Sequence, residues 1–225
     1  MSYLFMEILP RLVSAPMRLS DLDALTESQI SRLLAQAHTG REESNIPVDL
    51  LSKTLKPAAV LIPFLRLNHQ WHLLFIHRAQ IPNDPHSGQV AFPGGASDPA
   101  DSGPEQTALR EAREELGISP MDVNLLGCLN DFRTITSYRV TPVVGSLPWP
   151  YPIFLESTEV SRAFTIPLGW LANPENRQIQ QRLLPPPYSP VPVIYYRSYD
   201  GEVLWGASAG FTLKLINILS EISLD

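Results

Sequence analysis

The chain of 225 residues is poor in several features that define other classes of protein. Its single cysteine, Cys128, cannot form a disulfide within the chain, which fits a reducing compartment. No apolar run approaches the roughly 18 residues that a membrane-spanning helix needs. The sequence therefore predicts a soluble, cytoplasmic protein that does not contact the membrane.

Charge is also scarce, because Asp, Glu, Lys and Arg together make up only 18% of the chain, against about a quarter in an average protein. The chain has 17 Lys and Arg against 23 Asp and Glu, which gives a net charge of −6. Binding to a nucleic-acid backbone needs a clustered excess of basic residues. The composition therefore argues against a nucleic-acid partner.

A hydrophobic fraction of 44% is enough for a real core, and 22 prolines predict long, ordered loops. Residues 21–37 have leucine and isoleucine at near-helical spacing, so residues 1–55 are interpreted as an N-terminal helical arm that is peripheral to the main domain. The arm could serve as a dimer contact or as a lid, and a homodimer is one expectation. Residues 56–225 are interpreted as the main domain.

Strand and helix patterns alternate in the main domain. Two apolar runs flanking residues 68–70 predict a β-hairpin, and residues 90–92 predict a short strand. Strands are expected over residues 123–132 and 137–147, a strand with a helical turn within residues 159–174, and a long loop that leads into a strand within residues 183–196. A closing amphipathic helix is expected over residues 207–219. This interleaving predicts a single α/β or α+β domain with a mixed sheet.

The clearest helix covers residues 104–116, with proline in its first turn and Gly117 as its stop. Since each residue advances about 100° around a helix, Glu111, Glu114 and Glu115 lie within an arc of about 100°. Oxygen ligands in such a cluster suit a hard divalent cation such as Mg²⁺ or Mn²⁺. The alternative is an ordinary solvated helix face with weak ion pairs.

The segment that contains this helix, GGASDPADSGPEQTALREAREELGI, resembles the Nudix box, G-x5-E-x7-R-E-U-x-E-E-x-G-U with U a bulky or aliphatic residue. REAREELGI matches each specified position if Ala112 is accepted as a small U. Upstream, Asp101 stands where the box usually has Glu, and eight residues rather than seven separate it from Arg110. This departure resembles the variant box of the coenzyme A pyrophosphatase-like branch of Nudix hydrolases.

Blocks outside the box are similar to the same branch and follow in the expected order. They are HSGQVAFPGG (86–95), TSYRVTPVVG (136–145), PLGWLANP (167–174) and LWGASAGFTLKL (204–215). The resemblance covers roughly residues 56–219. Between Arg78 and Gly88 the chain is one residue longer than the branch signature, and Asn83 stands where the signature has a second arginine.

The resemblance implies a Nudix α/β/α sandwich and a set of residue roles. Glu111 and Glu115 are expected to be the principal metal ligands, with Glu114 a third ligand or the base that orients water. Arg110 is expected to pair with these glutamates. Glu159, from a loop, is expected to be a further ligand or base, or else an ordinary exposed glutamate.

Four further positions are candidates for substrate binding. Arg78 could contact phosphate, and His86 phosphate or base; the alternative for each is an ordinary solvated side chain. Gly94 and Gly95 would let the backbone approach a ligand closely. Trp205 could line the pocket or simply pack in the core.

By resemblance, the expected activity is hydrolysis of the pyrophosphate of coenzyme A or an acyl derivative, dependent on Mg²⁺ or Mn²⁺. The products would be 3′,5′-ADP and 4′-phosphopantetheine or its acyl form. Two alternatives stay open: hydrolysis of another small nucleotide, such as ADP-ribose, a dinucleotide or a nucleoside triphosphate, and a Nudix-fold protein that binds nucleotides without cleaving them.

Overall fold

The computed structural model describes residues 22–44, 54–82, 87–184 and 188–221. In chain order the helices and strands are α1 (Glu27–Ala37), β1 (Lys56–Leu67), β2 (Gln70–Arg78), β3 (Val90–Ala91), β4 (Gly94–Ala96), α2 (Pro104–Leu116), β5 (Asn124–Cys128), β6 (Phe132–Arg133), β7 (Tyr138–Ser146), β8 (Val160–Pro167), α3 (Leu168–Ala172), β9 (Arg177–Arg182), β10 (Val191–Tyr196) and α4 (Gly206–Ser220).

Eight strands form one mixed sheet centred on β1. The main path runs β3-β2-β1-β7-β5, with β4 paired to β1, β6 to β7 and β8 to β2. Only the β1–β7 pair is parallel among these strands. Strands β9 and β10 form a separate antiparallel ribbon.

The predicted hairpin is formed by β1 and β2. Leu67 pairs with Gln70, and the two residues between them, Asn68 and His69, have φ of 51° and 65°. A two-residue turn with positive φ at both positions matches the twist of the strands that it joins. The hairpin brings Arg78, at the end of β2, to the same region as the start of β4.

Both faces of the sheet are covered, because side chains alternate across β1. Ala59, Leu61 and Leu65 face one apolar cluster, which is shared with α2. Ile62 and Phe64 face the other cluster, which is shared with α1, α3 and α4. Strands buried on both faces are nearly continuously apolar, as β1 is. The predicted α/β/α sandwich with a mixed sheet is confirmed.

The described part of the N-terminal arm belongs to the core. Thr26 caps α1 through a capping box with Gln29, and Ile30 and Leu34 are fully buried. Leu34 packs so closely on β5 that a Cβ at Gly127 would lie 3.2 Å from the Leu34 Cβ. The arm is therefore not peripheral, and the boundary predicted at residue 55 stays a prediction.

Two short strands were not predicted. β4 contains only Gly94–Ala96, and β9 is polar and almost fully exposed. Neither has the alternating apolar pattern that identifies a strand in sequence. Within the described residues, no helix is long and apolar enough to cross a membrane.

Candidate active site on helix α2

Helix α2 is fixed against the sheet by its apolar side. Ala108, Ala112 and Leu116 are fully buried. Gly117 ends the helix in the left-handed region, at φ 70°, where glycine has no Cβ penalty, and its N–H donates to Arg113 O at 3.0 Å. The packing turns Glu111 and Glu115 toward β4.

Glu115 is almost completely buried, with 1% of its surface exposed. Its Oε2 accepts a 2.9 Å hydrogen bond from the backbone N–H of Gly94. Its Oε1 has no hydrogen-bond donor among the described residues, and Arg78 Nη1 lies 3.9 Å away. Burial raises the pKa of Glu115 to about 8, with Glu111 and Glu159 adding to the rise and Gly94 and Arg78 opposing it.

Glu111 lies one helical turn earlier and faces the same glycine strand. A Cβ on Gly95 would lie 2.6 Å from Glu111 Oε1, so a side chain at this position would have to displace the carboxylate. Burial raises the pKa of Glu111, and the charges of Glu114 and Glu159 add to the rise against the opposing effect of Arg110. A cation bound beside these two carboxylates of raised pKa would stabilise their ionised form.

Arg110 connects the helix face to the preceding loop. Its Nη1 donates to Glu111 and Glu114, both at 2.9 Å, and its Nη2 donates to the carbonyl of Ala96 at 2.9 Å. Its Nε and Nη2 donate to Asp101, whose side chain is 4% exposed. Hydrogen bonding from Arg110 lowers the pKa of Asp101 to about 2, and the same bonds raise the pKa of Arg110.

Glu159 is brought to this site by the loop over residues 154–159. The N–H of Glu156 donates to the carbonyl of Glu115 at 3.0 Å, and the carbonyl of Glu159 accepts from Ala79 N–H at 2.8 Å. The loop thus runs from the end of α2 to the end of β2. The charge of Glu159 contributes to the raised pKa of both Glu111 and Glu115, although Glu159 itself is exposed.

The donor chemistry of the site fits a hard divalent cation. Across the described ranges, no three His, Cys, Asp or Glu side chains lie together as a ready-made metal cage. Arg110 holds the Glu111 and Glu114 carboxylates by hydrogen bonds, while the Glu115 carboxylate accepts a hydrogen bond from Gly94 instead. The buried Glu115 Oε1 without a donor, beside a second carboxylate, is the kind of oxygen ligand that Mg²⁺ or Mn²⁺ takes.

The predicted site residues therefore divide into three groups. Those that the structure brings together are Arg78, Gly94, Gly95, Arg110, Glu111, Glu114, Glu115 and Glu159. Glu114 is the least enclosed of the helix carboxylates, with 51% of its side chain exposed. His86 lies outside the described residues, and Trp205 lies on the connection to α4, next to β10.

Asp101 was noted in sequence only as a substitution for glutamate, and its part as the anchor of Arg110 was not predicted. The sequence spacing does not reveal this contact, because Asp101 lies in the loop before α2 and eight residues separate it from Arg110. Thr107 Oγ1 also donates to Asp101, at 2.9 Å, so the carboxylate is fixed from two positions of α2. The signal available in sequence was the position of Asp101 in the motif.

Comparisons with known proteins identify the family of the chain. A family model described as NUDIX domain matches residues 55–185. The uncharacterized Nudix hydrolase NudL of Escherichia coli strain K12 is 37% identical over 168 residues, which are 71% of this chain and 81% of the relative. NudL of Escherichia fergusonii matches with the same identity and coverage.

Solved structures with a detectable likeness include two Nudix-type enzymes of low identity. An Ap4A hydrolase of C. elegans, in a binary complex, is 21% identical, with 51% of this chain and 81% of that chain covered and a TM-score of 0.43. The Nudix hydrolase RenU of M. smegmatis is 22% identical, with 54% and 76% covered and a TM-score of 0.45.

The family model covers more than half of the chain, including the glycine strand β4 and the carboxylate-bearing helix α2. The chain belongs to the Nudix family and is a Nudix hydrolase, a pyrophosphohydrolase that acts on a nucleoside diphosphate derivative. Nudix hydrolases generally use divalent metal ions.

Proposed function

We propose that the protein hydrolyses the pyrophosphate bond of coenzyme A or an acyl-coenzyme A with Mg²⁺ or Mn²⁺ as cofactor. The observation that carries the proposal is the bond from Gly94 N–H to the buried Glu115, at 2.9 Å. It joins the two segments that resemble the coenzyme A branch, residues 86–95 and the variant box. Phe92, in the same segment, is buried and stacks on Phe75 at 4.6 Å between ring centroids.

The proposed roles follow from the contacts. Glu111 and Glu115 would hold the metal, which neutralises charge on the bridging phosphates and lowers the pKa of a bound water. Glu114 is a further candidate ligand or base. Glu159, on an exposed loop beside both buried carboxylates, is a candidate base or ligand. Arg110 keeps Glu111 and Glu114 oriented.

Substrate contacts are proposed at the rim of the site. Arg78 Nη1, 3.9 Å from Glu115 Oε1, is close enough to the carboxylates to meet a phosphate held there. Gly94 and Gly95 keep the facing backbone free of side chains. His86 is proposed as a phosphate contact on the resemblance alone. The net charge of −6 supports a small-molecule substrate over a nucleic acid.

Two further expectations accompany the proposal. The lone cysteine, Cys128, supports a cytoplasmic location. A homodimer stays a prediction, which a measurement of the molecular mass of the protein in solution would test.

The test is hydrolysis of coenzyme A, ADP-ribose, NADH and dGTP by purified protein with Mg²⁺ or Mn²⁺, with products separated by ion-pair chromatography. We expect coenzyme A to give 3′,5′-ADP at the highest kcat/KM. If another compound is preferred, the substrate is a different nucleoside diphosphate derivative and not coenzyme A. Tight nucleotide binding without turnover in either metal would favour a non-catalytic binding protein.

A further inference from the structure

A cavity lies on the β9–β10 ribbon and shares no lining residue with the carboxylate site. Its volume is about 240 Å³. It is lined by Gln180, Gln181, Arg182, Val193, Tyr195 and Trp205.

An aromatic pair forms one wall of this cavity. The rings of Tyr195 and Trp205 are parallel to within 3°, and their centroids are 5.4 Å apart. A backbone bridge between the same two residues fixes the pair, and both side chains are partly exposed. Trp71, by contrast, is buried and its Nε1 donates to Leu25 O. A rigid aromatic stack at the surface can bind a third planar ring on its free face.

The polar side chains of the cavity suit a heterocycle that carries negative charge. Gln180 pairs with Val193 and so lies on the same face of the ribbon as Tyr195. Its amide offers donors and an acceptor, which can pair with the edge of a base. Arg182 is exposed, and no carboxylate within the described ranges forms an ion pair with it. A guanidinium with this freedom is suited to a phosphate.

We propose that this cavity is a nucleotide-binding site, in which Trp205, supported from behind by Tyr195, stacks on the base and Arg182 binds a phosphate. The occupant is either the base end of the substrate or a second nucleotide, since both present the same chemistry. The site is tied to the active centre through Glu202, which lies in the turn before Trp205 and bonds to His77 at 2.7 Å, next to Arg78. The inference does not depend on which pyrophosphate is cleaved.

AMP, adenosine and inorganic phosphate are the probes, because none of them contains a pyrophosphate to cleave. The full-length protein labelled with ¹⁵N is titrated without divalent metal, and the indole N–H signals of its four tryptophans are followed. We expect AMP to shift the Trp205 signal, assigned with Trp205→Phe, more than the others. Equal or no shifts of all four signals would overturn the proposal.

Calorimetry on variants tests the named residues. Alanine substitution of a base-stacking aromatic weakens binding by roughly 5- to 150-fold. We expect a loss of that size in AMP affinity for Trp205→Ala and a smaller loss for Trp205→Phe. An AMP affinity of Trp205→Ala equal to that of the wild type would overturn the site.

Arg182→Gln provides a second test, since an exposed strand residue can be replaced without unfolding the protein. We expect it to weaken AMP binding about tenfold and to leave adenosine binding unchanged, while Arg32→Gln, an exposed arginine on α1, changes neither. Equal effects of the two arginine variants would contradict the phosphate contact. Trp205→Phe then distinguishes the sources: a raised KM at unchanged kcat identifies the base end of the substrate, and an unchanged KM with weakened AMP binding identifies a second nucleotide.

Discussion

Glu115 is a neutral carboxylic acid at neutral pH unless a cation takes the place of its proton. This follows from its burial and its pKa of about 8. Since the unfolded chain loses this proton near pH 4.5, the folded protein binds one more proton than the unfolded chain between about pH 4.5 and 8. The free energy of unfolding of the metal-free protein therefore falls as pH rises through that window.

The variant Glu115→Gln removes this dependence. In a chelator at pH 8 we expect its Tm to exceed that of the wild type, and at pH 4.5 we expect the two to be similar. Its kcat/KM should fall about 10³-fold, since metal binding supplies several kcal/mol to the transition state. Glu175→Gln, at an exposed glutamate, is the control and should change neither quantity. A Tm difference that is the same at both pH values would refute the buried, protonated Glu115.

Asp101→Asn tests the anchor of Arg110. We expect a loss of about 1–3 kcal/mol in the free energy of unfolding, because a charged acceptor is removed from a partly buried guanidinium. Because the folded pKa of about 2 lies below the ordinary aspartate value of 3.8, the wild-type advantage is present above pH 4 and is lost as pH falls toward 2. Urea unfolding of both proteins between pH 2 and 7 measures the difference, and parallel curves would contradict it.

Helix periodicity predicted that Glu111, Glu114 and Glu115 share a face. In the structure they do lie on one side of α2, but they differ strongly in burial. Glu115 is 2% exposed at its side chain, Glu111 14% and Glu114 51%. Periodicity gives the angle around the helix but not the partner across from it. That partner is the Gly94–Ala96 strand, which is fixed by pairing with β1 and is not visible in the local pattern.

At the scale of elements, β4 determines how closely the sheet approaches α2. A Cβ on Gly94 would meet the Ala59 carbonyl at 2.4 Å and Val60 Cα at 2.6 Å, both of them backbone atoms that cannot move easily. The three atoms nearest to a Cβ on Gly95 all belong to the end of the Glu111 side chain. Gly94 is therefore needed for close packing within the sheet, whereas Gly95 leaves room for the Glu111 carboxylate.

Gly95→Ala is expected to lower kcat/KM by 10- to 100-fold with a change in unfolding free energy below about 1 kcal/mol, because Glu111 is displaced while the backbone stays. Gly210→Ala, in a helical position with open space around its Cβ, is the matched control and should raise stability by about 0.5–1 kcal/mol without affecting activity. Steady-state kinetics and urea unfolding measure both. An active Gly95→Ala would remove Glu111 from the proposed metal site.

Elements with strong local signals agree with their predictions. Helix α2 occupies the predicted residues 104–116, and the β1–β2 hairpin turns at the predicted polar residues. The exposed strand β9 lacks such a signal, and so the cavity beside Trp205 could not be predicted. Tyr195 meets Trp205 only because the ribbon folds back onto the start of α4.

At the scale of the whole molecule, the arm completes the core on the face opposite α2. Leu34→Ala should therefore cost about 2–5 kcal/mol of unfolding free energy, as for other buried leucines. Leu33→Ala, its half-buried neighbour in the same helix, is the control and should cost clearly less. If urea unfolding shows equal, small losses of unfolding free energy for the two variants, the arm is peripheral, as its sequence suggested.

The position of the arm also has a consequence for biosynthesis. Ile30 and Leu34 emerge from the ribosome early, yet α4, which packs against α1, begins only at residue 206. At the usual 5–20 residues per second, this interval lasts on the order of 10–35 s. During that time α1 can already pack on β5, but the part of its apolar face that α4 covers stays exposed to solvent. The nascent chain is therefore a candidate substrate for chaperones until α4 has been synthesised.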